Sequence, residues 1–449
     1  MTGIHAQRAL TPQGWQQDVR LEIDGGRIAA LAAGVPAQPG DERHAILLPG
    51  MPNLHSHAFQ RSMAGLAEVR GPGPDSFWSW RTLMYRFALA LTPDQVEAIA
   101  SQLYMEMLEA GFSRVGEFHY LHHAPDGRPY ADPAEMAARI AAAAAETGIG
   151  LTLLPVFYAH SGFGSAAPAD GQRRFINDLD RFARLLDGCR AAVADLPAAR
   201  VGLAPHSLRA VTPEELAHLI PLAGDAPVHI HIAEQVKEVE DCLAWSGARP
   251  VQWLFDHCAV TPNWCLVHAT HMTADETARL AQSGAVAGLC PITEANLGDG
   301  IFDAVPFTEA GGVFGIGSDS NILIGLPDEL RLLEYSQRFK HRSRNVMTRA
   351  GQSTGRRLFE DALLGGGRAL GTKVGLAPDH PADFISLTAT GIATMPDDAI
   401  LDAWIFANQG RPDCVWVAGR KQVAGGRHRQ RDAIERRFHA TMAALLALA

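Results

Sequence analysis

Residues 45–57 read AILLPGMPNLHSH, an apolar run that ends on Asn53-Leu54-His55-Ser56-His57. A short apolar stretch closing on polar residues suits a strand buried on both faces. Alternate residues on a strand share a face, so His55 and His57 project together from its end. Moving outward along the chain, the theme recurs seven times. The further candidate strands are SRVGEFHY (113–120), IGLTLLPVFY (149–158), ARVGLAPHSL (199–208), APVHIHIAE (226–234), WCLVHAT (264–270), AVAGLCP (285–291) and GVFGIGSDS (312–320). Amphipathic stretches separate most of them, among them TPDQVEAIASQLYMEMLEAG (92–111) and TPEELAHLIPLAG (212–224). Each of these two opens on a threonine suited to N-capping and ends at a glycine. Eight alternating β and α units predict an α/β fold, a (β/α)8 TIM barrel rather than an open doubly wound sheet.

The two ends read differently. Residues 1–45 alternate like strands and are broken by the hairpin signal Asp24-Gly25-Gly26. Residues 377–425 carry the same alternation, in APDHPADFISL and DCVWVAGRKQVAGG. The simplest arrangement pairs them: 1–45 and 375–426 as one small β-sandwich domain, 46–374 as the barrel, and 427–449 as a C-terminal helix.

Composition narrows the function. The 449 residues are 47% hydrophobic and 20% charged with a net charge of −10, which disfavours nucleic acid and anionic membrane surfaces as partners. No apolar run reaches the roughly 20 residues that span a bilayer. The amino terminus lacks a signal-peptide layout, and the six cysteines are scattered without a CxxC, so reduced thiols and a cytoplasmic location are expected.

Polar residues gather where the apolar runs stop. The fifth run ends His229-Ile230-His231-Ile232-Ala233-Glu234, the sixth Leu266-Val267-His268, and the eighth Gly317-Ser318-Asp319-Ser320. Singly, each has an ordinary structural explanation, such as a packed histidine or a helix-capping aspartate. Together and in strand order they make a divalent-metal site from His55, His57, His231 and Asp319. Three neutral imidazoles and a carboxylate suit zinc most naturally and leave room for water. His229 is expected to pack one layer beneath.

The order His-x-His, His, His, Asp along eight strands resembles the amidohydrolase superfamily over nearly the whole chain. Two-metal members of that superfamily use a lysine on the fourth strand; here that strand has none, the nearest being Lys237, so the resemblance implies one metal ion per subunit. The spacing His231-x-x-Glu234 is similar to that of the deaminases. More narrowly, NLHSHAFQRSMAGL, FWSWRTLMYRF, GEFHYLHH and CPITEANLGDG resemble the formimidoylglutamate deiminases of histidine degradation. Those enzymes hydrolyse N-formimidoyl-L-glutamate to N-formyl-L-glutamate and ammonia.

The resemblance implies Asp319 as ligand and general base, His268 as hydrogen-bond partner of the water, and Glu234 as proton shuttle. It also implies Gln60, Arg81, Tyr120, His206 and Arg209 as contacts to a small dicarboxylate-bearing substrate, arginine forks being suited to carboxylates. A homodimer is the expected assembly. Trp78 and Trp80 are expected to pack the loop rather than face substrate, and His119, His122, His123 and His271 have no assigned role. Three alternatives stay open: a deaminase of guanine or a related heterocycle, an amidase releasing formamide, and a non-catalytic relative.

Overall fold

The computed structural model describes residues 2–71 and 76–447. Strands β1 (Thr2–Thr11), β2 (Gly14–Asp24), β3 (Arg27–Ala32) and β4 (Glu42–Pro49) come from the amino-terminal end. The middle of the chain gives β5 (Met51–Ser56), β6 (Phe112–His119), β7 (Gly150–Phe157), β8 (Arg200–Val201), β9 (Ala204–Pro205), β10 (Val228–Ile232), β11 (Trp264–His268), β12 (Val286–Leu289) and β13 (Val313–Ile316). The carboxy-terminal end adds β14 (Phe384–Leu387), β15 (Pro412–Val417), β16 (Arg420–Ala424) and β17 (Arg427–His428).

The chain ends build one sheet, in the order β17-β16-β15-β14-β4-β1-β2-β3, antiparallel except where β1 runs parallel to β4. Its hydrogen bonding is continuous rather than divided between two sheets. The β2–β3 hairpin closes through Gly25 and Gly26 at φ +53° and +79°, the double positive φ that a two-residue type I′ turn needs. The final helix spans Arg431–Leu446, after β17.

The middle strands form two parallel sheets, β5-β6-β7-β8 (with β9 on β7) and β10-β11-β12-β13. Isolated parallel bridges join the sheets at both edges, Leu203 to Val228 and Ser56 to Asp319. Helices lie between the strands. Those at Pro93–Glu109 and Pro213–Ala223 begin at Thr92 and Thr212, each in a capping box with Gln95 or Glu215 and each with proline in the first turn.

Two of the expected strands are broken, each at a glycine. The run 45–55 divides at Gly50: β4 pairs with β1 and β14 in the terminal sheet, while β5 opens the parallel one. A Cβ on Gly50 would stand 2.4 Å from Ser113 Oγ, so only glycine passes there. The terminal sheet thus runs past residue 45 to Pro49. The run 199–208 divides at Gly202, where a Cβ would meet the Pro227 carbonyl oxygen at 2.6 Å.

Candidate active site

The ends of β5, β10 and β11 and the turn after β13 converge on one cluster. His55 and His57 leave β5 on the same side, and their Nε2 atoms lie 3.2 Å apart. His231 brings its Nε2 to 3.0 Å from that of His55. Asp319 Oδ1 stands 3.1 Å from His57 Nε2 and 3.5 Å from His55 Nε2. All four side chains are buried.

The backbone holds this geometry tightly. Gly317 lies against β5, where a Cβ would be 2.8 Å from the His55 carbonyl oxygen. Asn53 Nδ2 donates to Ser318 Oγ (2.7 Å), Ser318 Oγ donates to Asn321 Oδ1 (2.6 Å), and Asn321 Nδ2 donates to the His57 carbonyl (3.0 Å). Around the cluster Ala233, His268, Ala269, Asp319 and Asn321 have φ between +44° and +68°, a region non-glycine residues enter at a cost and commonly at functional sites.

The donor chemistry fits a metal ion. The Nδ1–H of His57 donates to the Phe118 carbonyl at 3.0 Å, so its Nε2 lone pair faces the cluster. A lone pair and a carboxylate oxygen at 3.1 Å are two acceptors face to face, an arrangement a cation relieves. Donor atoms 3.0 to 3.5 Å apart are close enough to share one ion at the ~2.1 Å that zinc takes to nitrogen and oxygen. Burial pushes His55 down to about 3 and His231 well below its usual range, keeping both imidazoles neutral as ligation requires. For Asp319 burial opposes ionisation, but the neighbouring His55 and His57 imidazoles hold the carboxyl well below the usual range.

Two further groups sit beside this centre. Burial opposes charge on His268, but Glu234, the hydrogen bond to Glu294 and Asp319 together raise it to about 10. Its Nε2 lies 3.8 Å from Glu234 Oε1 and 3.9 Å from Asp319 Oδ2, between the two carboxylates. Burial raises Glu234 against the pull of His268 and of Arg209, whose guanidinium is 4.0 Å from Oε2.

Above the cluster opens a cleft of about 560 Å³. Its lining includes His57, Gln60, Arg81, Tyr120, His206, Arg209, His231, Glu234, His268 and Asp319, so the structure brings together the residues expected from sequence, with His55 beneath. Gln60 Nε2 donates to the Tyr120 hydroxyl at 2.8 Å, and the Tyr120 ring packs edge-on against His57 and His206. Arg81 stacks on Trp78, 4.5 Å from the ring centroid. His229 lies below, its Nε2 donating to the Ala369 carbonyl at 2.8 Å, in the packing role expected of it.

Sequence reading missed several neighbours. Trp80, expected to pack the loop, lines the cleft, as do Tyr85 and Tyr158. Glu294 accepts from the Cys290 backbone N–H (2.9 Å) and from His268 Nδ1 (3.3 Å), which turns His268 Nε2 toward Glu234 and Asp319. Its signal was present in CPITEANLGDG, where a glutamate follows the seventh strand by one helical turn.

Residues 46–421 match the amidohydrolase family model, and residues 1–45 match the model described as formimidoylglutamate deiminase HutF, N-terminal domain. A formimidoylglutamate deiminase from Pseudomonas aeruginosa is 52% identical, covering 99% of this chain and 100% of that one. The chain belongs to the formimidoylglutamate deiminases. The crystal structure of an amidohydrolase from Brucella melitensis superposes with a TM-score of 0.98 at 60% identity, over 99% of this chain and 100% of that one. An 8-oxoguanine deaminase from Pseudomonas aeruginosa is more distant, 26% identical over 90% of each chain.

Proposed function

We propose that the protein hydrolyses N-formimidoyl-L-glutamate to N-formyl-L-glutamate and ammonia, the hydrolysis of a C–N bond in histidine degradation. The observation that carries this reading is the end-to-end similarity, 52% identity over 99% of the chain, to a formimidoylglutamate deiminase. Arg81 and Arg209 in the cleft above the histidine–aspartate cluster support it, because they suit a substrate bearing two carboxylates.

A divalent ion held by His55, His57, His231 and Asp319, zinc by the nitrogen-rich donor set, supplies the Lewis acidity that brings the pKa of water toward ~7. Asp319 takes a proton from the attacking water, whose oxygen adds to the formimino carbon. The imidazolium of His268, set between the carboxylates, donates Nε2–H to that oxygen. Glu234, its carboxyl raised by burial, delivers a proton to the terminal nitrogen. As that C–N bond breaks, Asp319 returns the water's first proton to the leaving nitrogen and Glu234 takes the second from the added oxygen. Ammonia departs, the carbon keeps the oxygen as a formyl group and both carboxyls are restored. Arg81 and Arg209 bind the carboxylates, with Gln60, Tyr120 and His206 completing the clamp.

The bridges at both sheet edges support reading the parallel strands as one closed (β/α)8 barrel. The terminal sheet is read as a sandwich folded over a core that includes Ile4, Leu21, Phe384 and Trp416. The division into 1–45 with 375–426, 46–374 and 427–449 is kept in outline, with the end-built sheet reaching Pro49 and His428 and the final helix starting at Arg431. A homodimer is read from base rates. A cytoplasmic location draws on six cysteines present as free thiols.

A second reading, deamination of a flat heterocycle, is favoured by the rings of Phe77, Trp80, Tyr85, Tyr158 and Phe175 in the cleft. Turnover of N-formimidoyl-L-glutamate, N-formimidoyl-L-aspartate and guanine by zinc-loaded protein separates the two. Preference for the glutamate compound is expected. Faster release of ammonia from guanine would keep the metal site and overturn the substrate.

A further inference from the structure

Gln172 lies in the loop after β7 and is buried. Its Oε1 accepts the Ala169 backbone N–H at 2.8 Å, which fixes the two ends of the amide. The Nε2 end therefore faces two tyrosines, donating to the Tyr158 hydroxyl at 2.8 Å and the Tyr85 hydroxyl at 3.4 Å. A phenol oxygen that accepts from an amide keeps its own hydrogen to give elsewhere. Among the described residues neither hydroxyl gives it to a protein acceptor.

Both tyrosines line the cleft with Arg81 and Arg209. Arg81 and Tyr85 sit four residues apart on the helix Phe77–Ala90, so they share a face, and the guanidinium carbon lies 5.6 Å from the Tyr85 ring centroid. The loop backbone seats that ring: a Cβ on Gly171 would stand 2.7 Å from Tyr85 Cδ2. Arg209 is 9% exposed, and its Nε is buried with no partner, a donor awaiting an acceptor.

We propose that Tyr85 and Tyr158, oriented by Gln172, donate their hydroxyl hydrogens to a substrate carboxylate drawn in by Arg81 and Arg209. The inference rests on the dicarboxylate substrate read above and deepens it. Tyr85 and Tyr158 are then binding residues, and Gln172 is a positioning residue that acts through them.

The test uses Tyr158→Phe, Tyr85→Phe and Gln172→Glu in the full-length, metal-loaded protein. A glutamate at 172 still accepts from Ala169, but its other oxygen captures the hydroxyl hydrogens and turns them away from the cleft. Two quantities are read: KM and kcat for N-formimidoyl-L-glutamate, and the affinity for glutarate by calorimetry. Tyr158→Phe and Gln172→Glu are expected to raise KM and weaken glutarate about ten- to hundredfold, the range for losing a hydrogen bond to a charged group. Metal content stays at the wild-type level and kcat changes little; Tyr85→Phe shifts KM in the same direction by less.

Unchanged glutarate affinity in all three variants overturns the proposal. So does a parallel loss of kcat and metal, which would make the three residues structural. If wild-type protein fails to turn over the substrate yet binds glutarate, and the variants lose that binding, the subsite stands and the substrate reading falls.

Discussion

Glu234 and Asp319 are both buried carboxylates beside His268, yet their surroundings drive them apart. The two imidazoles beside it hold Asp319 ionised, whereas burial lifts Glu234 toward its protonated form. Two titratable groups pushed in opposite directions are what acid–base catalysis needs, one to take a proton and one to give it. Glu234→Gln keeps the shape and removes the proton. It is expected to lower kcat by about 10²- to 10⁴-fold with metal content unchanged, read by steady-state kinetics and metal analysis. A variant retaining most of its kcat would take Glu234 out of the proton path. At this scale the sequence exposed residues that lie on strand ends, such as His55, His57 and His231, because period-two alternation says where they point. Tyr158 and Glu294 stayed hidden: the partners that give them meaning, Gln172 and His268, come from other segments.

Strand β10 places two histidines on one face with different tasks. His231 reaches the metal cluster, and His229 lies a layer below, bonded to the Ala369 carbonyl. Burial lowers His229 from 6.5 to about 4. Between those two values the unfolded chain binds the extra proton, so this residue's contribution to stability is full above about 6.5 and falls steadily as the pH drops to about 4. His229→Gln retains a donor for Ala369 and abolishes the titration. Urea unfolding across that range should show a shallower acid limb for the variant than for the wild type; superimposable limbs would show that His229 does not titrate as described. The helices at Thr92 and Thr212 were legible because capping is local chemistry, a threonine, a proline and a Glu or Gln in sequence. The breaks at Gly50 and Gly202 were not. Each glycine is required by a neighbour distant in sequence, Ser113 or Pro227, that leaves no room for a side chain.

Across the whole molecule, both chain ends meet in one sheet beside the parallel strands, and the metal ligands tie β5 to the turn after β13 and to β10. An ion bound only by the folded chain stabilises it by mass action. Chelation is therefore expected to abolish turnover and lower Tm by several degrees, with zinc restoring both. An unchanged Tm and unchanged activity in metal-free protein would dismiss the cluster as the working site. The alternation of strands and helices was visible in hydrophobic period and cap signals, and pairing the ends was the simplest arrangement of two strand-like segments; the continuity of the terminal sheet was not visible, since strand partners are set by tertiary packing. The proposed reaction cuts the terminal C–N bond of the formimino group and leaves the bond to glutamate intact. The most direct measurement is the product ratio from N-formimidoyl-L-glutamate and zinc-loaded protein, followed by NMR with an ammonia assay. Equal amounts of ammonia and N-formyl-L-glutamate are expected; formamide with free glutamate would show that the other C–N bond is cut.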